Sequence, residues 1–472
     1  VIALLTLIAA VMPATRGLGI AAAVGLMTAL ILVLFMLTPL LAITGRGVFW
    51  PFIPRPAVAA GEPPTRHDTS TGDDTAAHHG GAGEPHGTST AQSSIPAQAA
   101  AAPDINTRTA TQSSTATDSA TDNDRGIFHA VASATTRRPV LATVGTVLLL
   151  VVFACGLIGT RVGLTQLEQF AVPSDSAEGL RVMGEHFPAG EAQPHLIVAS
   201  SSSQKQVMNA AAHVDGIRRV TPTGTSPSGL VQLRAVGSAE PDSAAAQREA
   251  QDLRDAVGNI PGAHALVGGS SATALDIRHD SMRDLMVVAP WILAVVLIVL
   301  AVMLRAVVAP LVLVAVNVLS ALAAIGLGSF VGTHLLGFPA LDITVPLLSF
   351  LFLVALGIDY TIFLVHRARH ETIRLLDDGI PGGIRRATRI GMVHAVSRTG
   401  VVITSAGIVL AAVFAALGVL PLVVLGQLGL IVGLGVLVDT LLVRTVLVPA
   451  LFALLGRAMW WPGRLARHTR RG

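Results

Sequence analysis

Two places in the sequence put ionisable side chains among apolar ones. In ALGIDYTIFLVHRARHE (355–371), Asp359 lies well inside an apolar run that begins near Val345, and its neighbour Tyr360 is the only tyrosine of the chain. An ionisable residue within a membrane span costs about 2.5–3.5 kcal/mol on insertion scales and so marks a functional site by default. A carboxyl group in low dielectric favours its neutral form and exchanges protons nearer physiological pH than in water, which is what a proton carrier needs. Successive helical residues point about 100° apart, so Asp359 and Tyr360 can straddle a helix–helix seam. The tyrosine hydroxyl can then donate a hydrogen bond to the ionised carboxylate. Gly357 removes side-chain bulk there and permits close approach of a neighbouring helix. A proton relay is the expectation; the plain alternative is a buried aspartate satisfied by backbone or Ser/Thr partners.

The second place is GVLVDTLLVRTVLVP (435–449), a secondary intramembrane polar site with Asp439 and Arg444. A separation of five is looser than the three or four residues that align side chains on an α-helix. Arg444 can pair directly, face the cytoplasmic half, or neutralise a carboxylate on another span, and a structural ion pair competes evenly with a coupling role. Asn317, Ser349, Thr404 and Ser405 suit interhelical hydrogen bonds that act as packing glue. The sequence holds no GxxxxGK[ST] phosphate loop, nucleophile elbow or HExxH. ATP is therefore not expected as a direct energy source, and no enzymatic, cofactor or metal site is expected. His67, His78, His79 and His86 are irregularly spaced and lack any nearby cysteine; the single Cys155 lies in an apolar run and reads as a packing residue.

The elements that must position these groups are membrane helices. The chain is 52% hydrophobic and 13% charged, with a mean hydropathy of +0.65. Windows 18–44, 138–160, 284–304, 308–333, 343–365, 396–418 and 422–455 each exceed the ~18 apolar residues of a span. Residues 1–12 read as the remnant of another span, followed by a tight turn from Pro13 to Arg16. A chain that opens inside a hydrophobic run, without Met, reads as the C-terminal portion of something longer. The net charge of +3 does not point to nucleic acid, because the basic residues cluster beside spans.

Between the spans lie two polar stretches of different kinds. Residues 56–126 are Ala, Ser, Thr, Gly, Asp and His with almost no large apolar residues, and predict a disordered cytoplasmic linker. Residues 161–283 mix periodicities: strands at 195–200, 229–236 and 264–269, and helices at 205–214 and 243–260. That alternation predicts a two-layer α/β domain of the split βαβ, ferredoxin-like type. The remaining segments are 1–55 with two spans (the first truncated), 127–160 with one, 284–365 with three, a basic amphipathic segment at 366–395, 396–456 with two, and a basic tail at 457–472. Arg46 and Arg55, Arg137 and Arg138, Arg305, the seven arginines between 366 and 398, and Arg457, Arg464 and Arg467 all fall on one side when the spans are counted. The positive-inside rule makes that side the cytoplasm and puts the α/β domain outside. The 366–395 stretch reads as a membrane-surface helix, with His394 at the interface.

One repeat is visible. LGIAAAVG (18–25) matches LGLIVGLG (428–435), Pro39 matches Pro449 at the same offset, and GRGVFWP (45–51) matches GRAMWWP (456–462) displaced by one residue. Duplicated membrane halves are a mark of transporters, which rock two similar bundles around a shared site.

GIDYTIFLVHRARHE (357–371), AVSRTGVVITSAGIVLAAVF (395–414) and LGQLGLIVGLGVLVDTLLVRTVLVPALFALLGRAMWWP (425–462) resemble the C-terminal half of MMPL-type transporters of the resistance–nodulation–division superfamily. FPAGEAQPHLIVAS (187–200) and VGGSSATALDIRHDSMRD (267–284) resemble the edges of that family's second porter domain. The resemblance runs from about 138 to 465, with 1–55 similar to the fifth and sixth spans; the linker carries none. Full-length members have twelve spans, two porter domains and a further Asp–Tyr pair in the fourth span, parts with no counterpart here. The resemblance implies an α-helical polytopic bundle in the cytoplasmic membrane with an extracytoplasmic porter domain. It implies that Asp359 and Tyr360 relay protons while porter domains pass lipids, lipid-linked metabolites or hydrophobic drugs outward, with protons and membrane lipids as the other partners. Trimers and monomers both occur in the superfamily, so a homo-oligomer stays open. The alternative from another class is a membrane-anchored scaffold that binds a lipid or partner without coupled transport.

Overall fold

The computed structural model describes residues 5–44, 126–165, 167–169, 175–187, 189–241 and 243–467. Nearly all of the expected linker, with its four histidines, lies outside the described residues. The chain forms two compact units, Val1–Met27 with Ser119–Gly472, and Thr28–Asp118. Among the described residues seven helices are long and apolar enough to cross a membrane.

Helix α1 (Pro13–Leu32) runs through a π-helical turn, Val33–Leu37, into a last helical stretch, Thr38–Thr44. Helix α2 (Pro139–Ala154) begins on a proline, whose fixed φ suits the first helical turn and whose missing N–H is no loss there. A contact visible only in three dimensions holds the entry to α1. The backbone N–H groups of Val11 and Met12 donate to the Asp284 carboxylate at 2.8 and 3.1 Å. Asp284 is buried and so satisfies donors that the chain ahead of a helix cannot satisfy for itself.

The α/β domain follows, with α3 (Asp175–His186), β1 (His195–Ser200), α4 (Gln204–Ala212), β2 (Ile217–Thr225), β3 (Leu230–Gly237), α5 (Ala244–Gly258) and β4 (Leu266–Gly268). Its sheet is antiparallel, in the order β2-β3-β1-β4. In β1 the alternation turns His195, Ile197 and Ala199 to one face, where they sit opposite Ala235, Leu233 and Val231 of β3. Val207 and Ala211 of α4 and Leu253 and Val257 of α5 close that face. Their spacings of four are those of a single apolar helix stripe. Ser243 caps α5 by accepting the Ala246 N–H at 3.1 Å.

Strands β1, β3 and β4 and both helices match the sequence reading to within a few residues, but β2 has no sequence signal. Its residues, IRRVTPTGT, include a proline, and its pairing with β3 slips between Ile217 and Arg219 and again between Pro222 and Gly224. An edge strand with bulges tolerates both, since one side of it needs no ladder partner.

Helix α6 (Ser270–Leu304) is a single helix of 35 residues that runs without a break across residue 283, where the sequence reading places the end of the α/β domain. The stretch 271–284 contains no Gly or Pro to break it. Helices α7 (Val308–His334), α8 (Val345–Asp377), α9 (Gly383–Ala416) and α10 (Val423–Val438) complete the bundle, with a π-helical segment Asp439–Leu447 leading to α11 (Val448–Leu455). The basic stretch 366–395 is not one surface helix. It is the end of α8, a turn in which Gly379 and Gly382 take φ of 71° and 104°, and the start of α9. Glu371 ties this hairpin together, 3.1 Å from Arg398 and 3.4 Å from Arg367.

Inside the α/β domain the Glu249 carboxylate is buried and accepts from the Ser238 N–H, the Ser238 hydroxyl and the Ala239 N–H at 3.3, 3.1 and 3.1 Å. His195 Nε2 lies 3.5 Å from its other oxygen. Burial holds the His195 pKa below its ordinary 6.5, against the opposing pull of Glu249. The unfolded chain therefore binds a proton at His195 more readily than the folded one. The His195 contribution to stability is present above about pH 6.5 and is lost as pH falls through the lower folded value. Two outcomes are expected in hydrogen exchange. Glu249→Ala strands three donors and lowers protection of the β1 and β3 amides by about 3 kcal/mol. Protection in the parent chain declines below pH 6.5 beyond the intrinsic exchange chemistry, and His195→Gln removes that decline.

Candidate functional site

The intramembrane polar groups meet where α7, α8 and α9 pack on the long C-terminal helix. Arg444 is buried at 3% exposure and its Nη2 makes two contacts. It donates to Asp439 Oδ2 at 2.5 Å and to the Gly357 carbonyl of α8 at 3.1 Å. The pairing across five residues has a local cause. Asp439–Leu447 is π-helical, with the Val448 N–H returning to the Val443 carbonyl, so the helix is wound wider and residues five apart face the same way. The Thr445 hydroxyl follows the same step, donating to Thr440 O at 2.9 Å. Of the arrangements open to Arg444 in the sequence, the structure shows direct pairing.

The guanidinium also lies over the Tyr360 ring, 5.0 Å from its centroid, a distance at which the ring face attracts a cation. Its Nε and Nη1 are buried without a hydrogen-bond partner among the described residues. Beside it a crevice of about 10 Å³ is lined in part by Thr399, Thr404, Thr440 and Thr445, so the hydroxyls near the charge come from α9 and from the π segment.

Gly357 sits at the crossing with α7. A side chain there would meet Asn317 Oδ1 at 2.5 Å, and Asn317 Nδ2 donates across the same crossing to Val354 O at 3.2 Å. The Gly357 carbonyl also accepts the Thr361 hydroxyl at 2.6 Å, so this carbonyl gathers both a guanidinium and a hydroxyl.

The structure does not bring Asp359 into this cluster. Asp359 is on the exposed side of α8 and Tyr360 is half-buried; among the described residues Asp359 makes no hydrogen bond or ion pair. Among the described residues the expected hydrogen bond from Tyr360 to Asp359 is absent, because the two side chains, about 100° apart on the helix, go to different surroundings. Tyr360 turns to Arg444, and Asp359 turns out of the bundle. The lesser candidates divide as well. Ser349 is buried with its hydroxyl unpartnered among the described residues, and Ser405 bonds within its own helix to Val402 O at 3.0 Å.

Sequence reasoning missed Gln427. Its amide donates to Ala340 O at 2.6 Å and accepts from the Asp342 N–H at 2.9 Å, which pins the α7–α8 connection to α10. A glutamine in an otherwise apolar helix, in LGQLGLIVG, is the signal that could have found it.

Residues 173–472 match the profile of the MMPL family. The chain is 37% identical over 468 residues to the putative membrane protein ActII-3 of Streptomyces coelicolor, covering 99% of this chain and 56% of that protein. It is 33% identical over 344 residues to the apo-petrobactin exporter of Bacillus anthracis, covering 69% of this chain and 44% of the exporter. It is 37% identical over 236 residues to the probable transport protein MmpL12 of Mycobacterium tuberculosis, covering 50% of this chain and 18% of that protein. The chain thus spans about half the length of the first two, or less. With a profile match over most of its length, the chain belongs to the MMPL family.

Proposed function

We propose that this chain works within a proton-motive-force-driven exporter that moves lipids, lipid-linked metabolites or hydrophobic drugs across the cytoplasmic membrane. The observation that carries the reading is the contrast between two aspartates in spans that pack together. Asp439 is buried against its own arginine, whereas Asp359, about four turns into α8, makes no hydrogen bond or ion pair among the described residues. A carboxyl in a span without a structural partner is costly unless it gains and loses a proton in use. Relatives named as an exporter and as a probable transport protein support transport rather than catalysis.

In this reading Asp359 takes and releases the proton. Tyr360 and Gly357 link α8 to the Asp439–Arg444 pair, so a change in charge at Asp359 reaches the C-terminal helix through one turn of α8. The α/β domain is the extracytoplasmic porter; its order of β1-α4-β2-β3-α5-β4, with β1 and β3 central, supports the split βαβ, ferredoxin-like class. The arginine-rich α8–α9 hairpin and the C-terminal segment then face the cytoplasm.

Substrate efflux from proteoliposomes of the complete exporter under an imposed proton gradient tests the relay. Asp359→Asn keeps size and hydrogen bonding but cannot ionise, and is expected to reduce coupled efflux to background with expression and thermal stability unchanged. Tyr360→Phe keeps the ring under Arg444 and removes only the hydroxyl, which bonds no charged group among the described residues, and is expected to retain most of the coupled rate. Normal transport by Asp359→Asn sinks the relay.

The Asp439–Arg444 pair has a separate test in a double-mutant cycle read by thermal unfolding in detergent. Arg444→Met alone leaves a buried carboxylate unpaired and is expected to cost about 3–5 kcal/mol. Asp439→Leu combined with Arg444→Met is expected to recover most of that loss. Failure of the double variant to recover would show that the partners of Arg444 on α8 matter more than Asp439.

A further inference from the structure

Away from the Arg444 site, charge is left unbalanced where the helical segment 126–137 meets the start of α9. A cavity of about 350 Å³ opens there, with Arg137 and His129 on one wall and Arg386, Arg389 and His394 on the other. Among the described residues no carboxylate lines it. Among the described residues none of the three arginines has an ion-pair partner; Arg386 Nη1 reaches only the Pro381 carbonyl, at 3.3 Å. Elsewhere in the hairpin Arg367 and Arg398 pair with Glu371, and Arg374 with Asp378, whereas Arg369 and Arg385 have no ion-pair partner among the described residues either. What sets Arg386 and Arg389 apart is that they line one cavity with Arg137.

The start of α9 sharpens the imbalance. Its first turn holds no acidic residue, although the N-terminal end of a helix carries partial positive charge and ordinarily attracts one. Two guanidiniums of α9 and one from the segment ahead of α2 add to that charge instead. Guanidinium forks match phosphate oxygens in geometry as well as sign.

The location decides what carries the phosphate. Arg137 is two residues before Pro139, where the apolar α2 begins. Ile390 and Val393 line the same cavity, so the charged wall continues into an apolar one, as at a headgroup boundary. Basic pockets between transmembrane helices are suited to anionic lipid headgroups. We propose that the cavity between residues 126–137 and the start of α9 binds the phosphate of an anionic phospholipid from the adjoining leaflet. Binding there fixes the segment that leads into α2 against the α8–α9 hairpin. The site is independent of the proton relay, and its test does not require transport.

The experiment uses the 472-residue chain purified in detergent and placed in nanodiscs of phosphatidylcholine alone or of phosphatidylcholine with phosphatidylglycerol. Retained lipid is counted by native mass spectrometry, and thermal unfolding is followed across a phosphatidylglycerol titration. Phosphatidylglycerol is expected to be retained and to raise the unfolding temperature. Arg386→Gln and Arg389→Gln are each expected to weaken the titration about fivefold, the effect of one basic charge near a headgroup. Arg374→Gln removes the same charge from an exposed position off the cavity and is expected to leave the titration unchanged. Arg389→Lys, which keeps charge and bulk but loses the fork, serves if the glutamine variants fold poorly, and is expected to bind with intermediate strength. A parallel arm replaces lipid with inorganic phosphate in solution. Stabilisation by phosphate that phosphatidylglycerol does not match overturns the lipid source. Equal weakening by Arg374→Gln and the cavity variants overturns the site, since diffuse surface charge then explains the binding.

Discussion

A guanidinium inside a membrane bundle has to be neutralised and hydrogen-bonded where it sits, because hydrocarbon offers no water to do either. Arg444 imposes that requirement on this chain. Asp439 supplies the counter-charge, the Gly357 carbonyl a second acceptor, and the Tyr360 ring a face for the cation. Each contribution restricts the backbone. Asp439 can reach only because the helix is wound as a π-helix between the two residues. The Gly357 carbonyl accepts from Arg444, and its lack of a side chain lets α8 pack against Asn317 of α7. One buried charge therefore depends on the winding of one helix and on its contact with α8.

The π winding also gives structural weight to the sequence repeat. Matching LGIAAAVG to LGLIVGLG places Val33 opposite Val443 and Thr38 opposite Val448. In the first, the Thr38 N–H returns to the Val33 carbonyl; in the second, the Val448 N–H returns to the Val443 carbonyl. The same wide turn thus occurs at the same place in both copies, immediately before Pro39 and Pro449. The prolines supply a shared cause. A proline lacks an N–H and crowds the carbonyl four residues back, and widening the preceding turn relieves both. Arg444 and Asp439 have no charged counterparts at the matching positions, Leu34 and Ala29. The winding therefore does not need the ion pair, and the pair makes use of it.

What could be read from the sequence follows the strength of each physical signal. Apolar runs longer than a span left no room for another reading, and all seven windows are helical. The buried face of β1 alternates with a clean period of two, and α5 carries a single apolar stripe behind a serine cap, so both were legible. Strand β2 was not, because bulges and an edge position release it from any pattern. The join of α6 to the domain was not, because polarity changes at residue 284 while helix propensity does not. For the site, residue types were legible and their grouping was not. Asp439 and Arg444 had a spacing looser than an α-helical pair prefers, which left their pairing open, and Asp359 and Tyr360 looked like a unit because they are adjacent. A local change in winding decides the first in favour of pairing, and ordinary helical geometry reverses the second.

The separation of Asp359 from Tyr360 gives the two spans different electrostatic characters. At the C-terminal helix the charge is balanced within a few ångströms, so its energy changes little when surrounding groups move slightly, provided the pair stays together. At α8 the carboxyl makes no hydrogen bond or ion pair among the described residues, and its preference between charged and neutral forms depends on what covers that face. Tyr360, one residue on, is in contact with the balanced pair. A rotation of α8 that alters the cover over Asp359 must therefore also move the ring against Arg444, and it must strain the bond from Arg444 to the Gly357 carbonyl. Within the proposed mechanism, that mechanical linkage between α8 and the C-terminal helix is what would make the protonation state of one aspartate matter to the rest of the bundle.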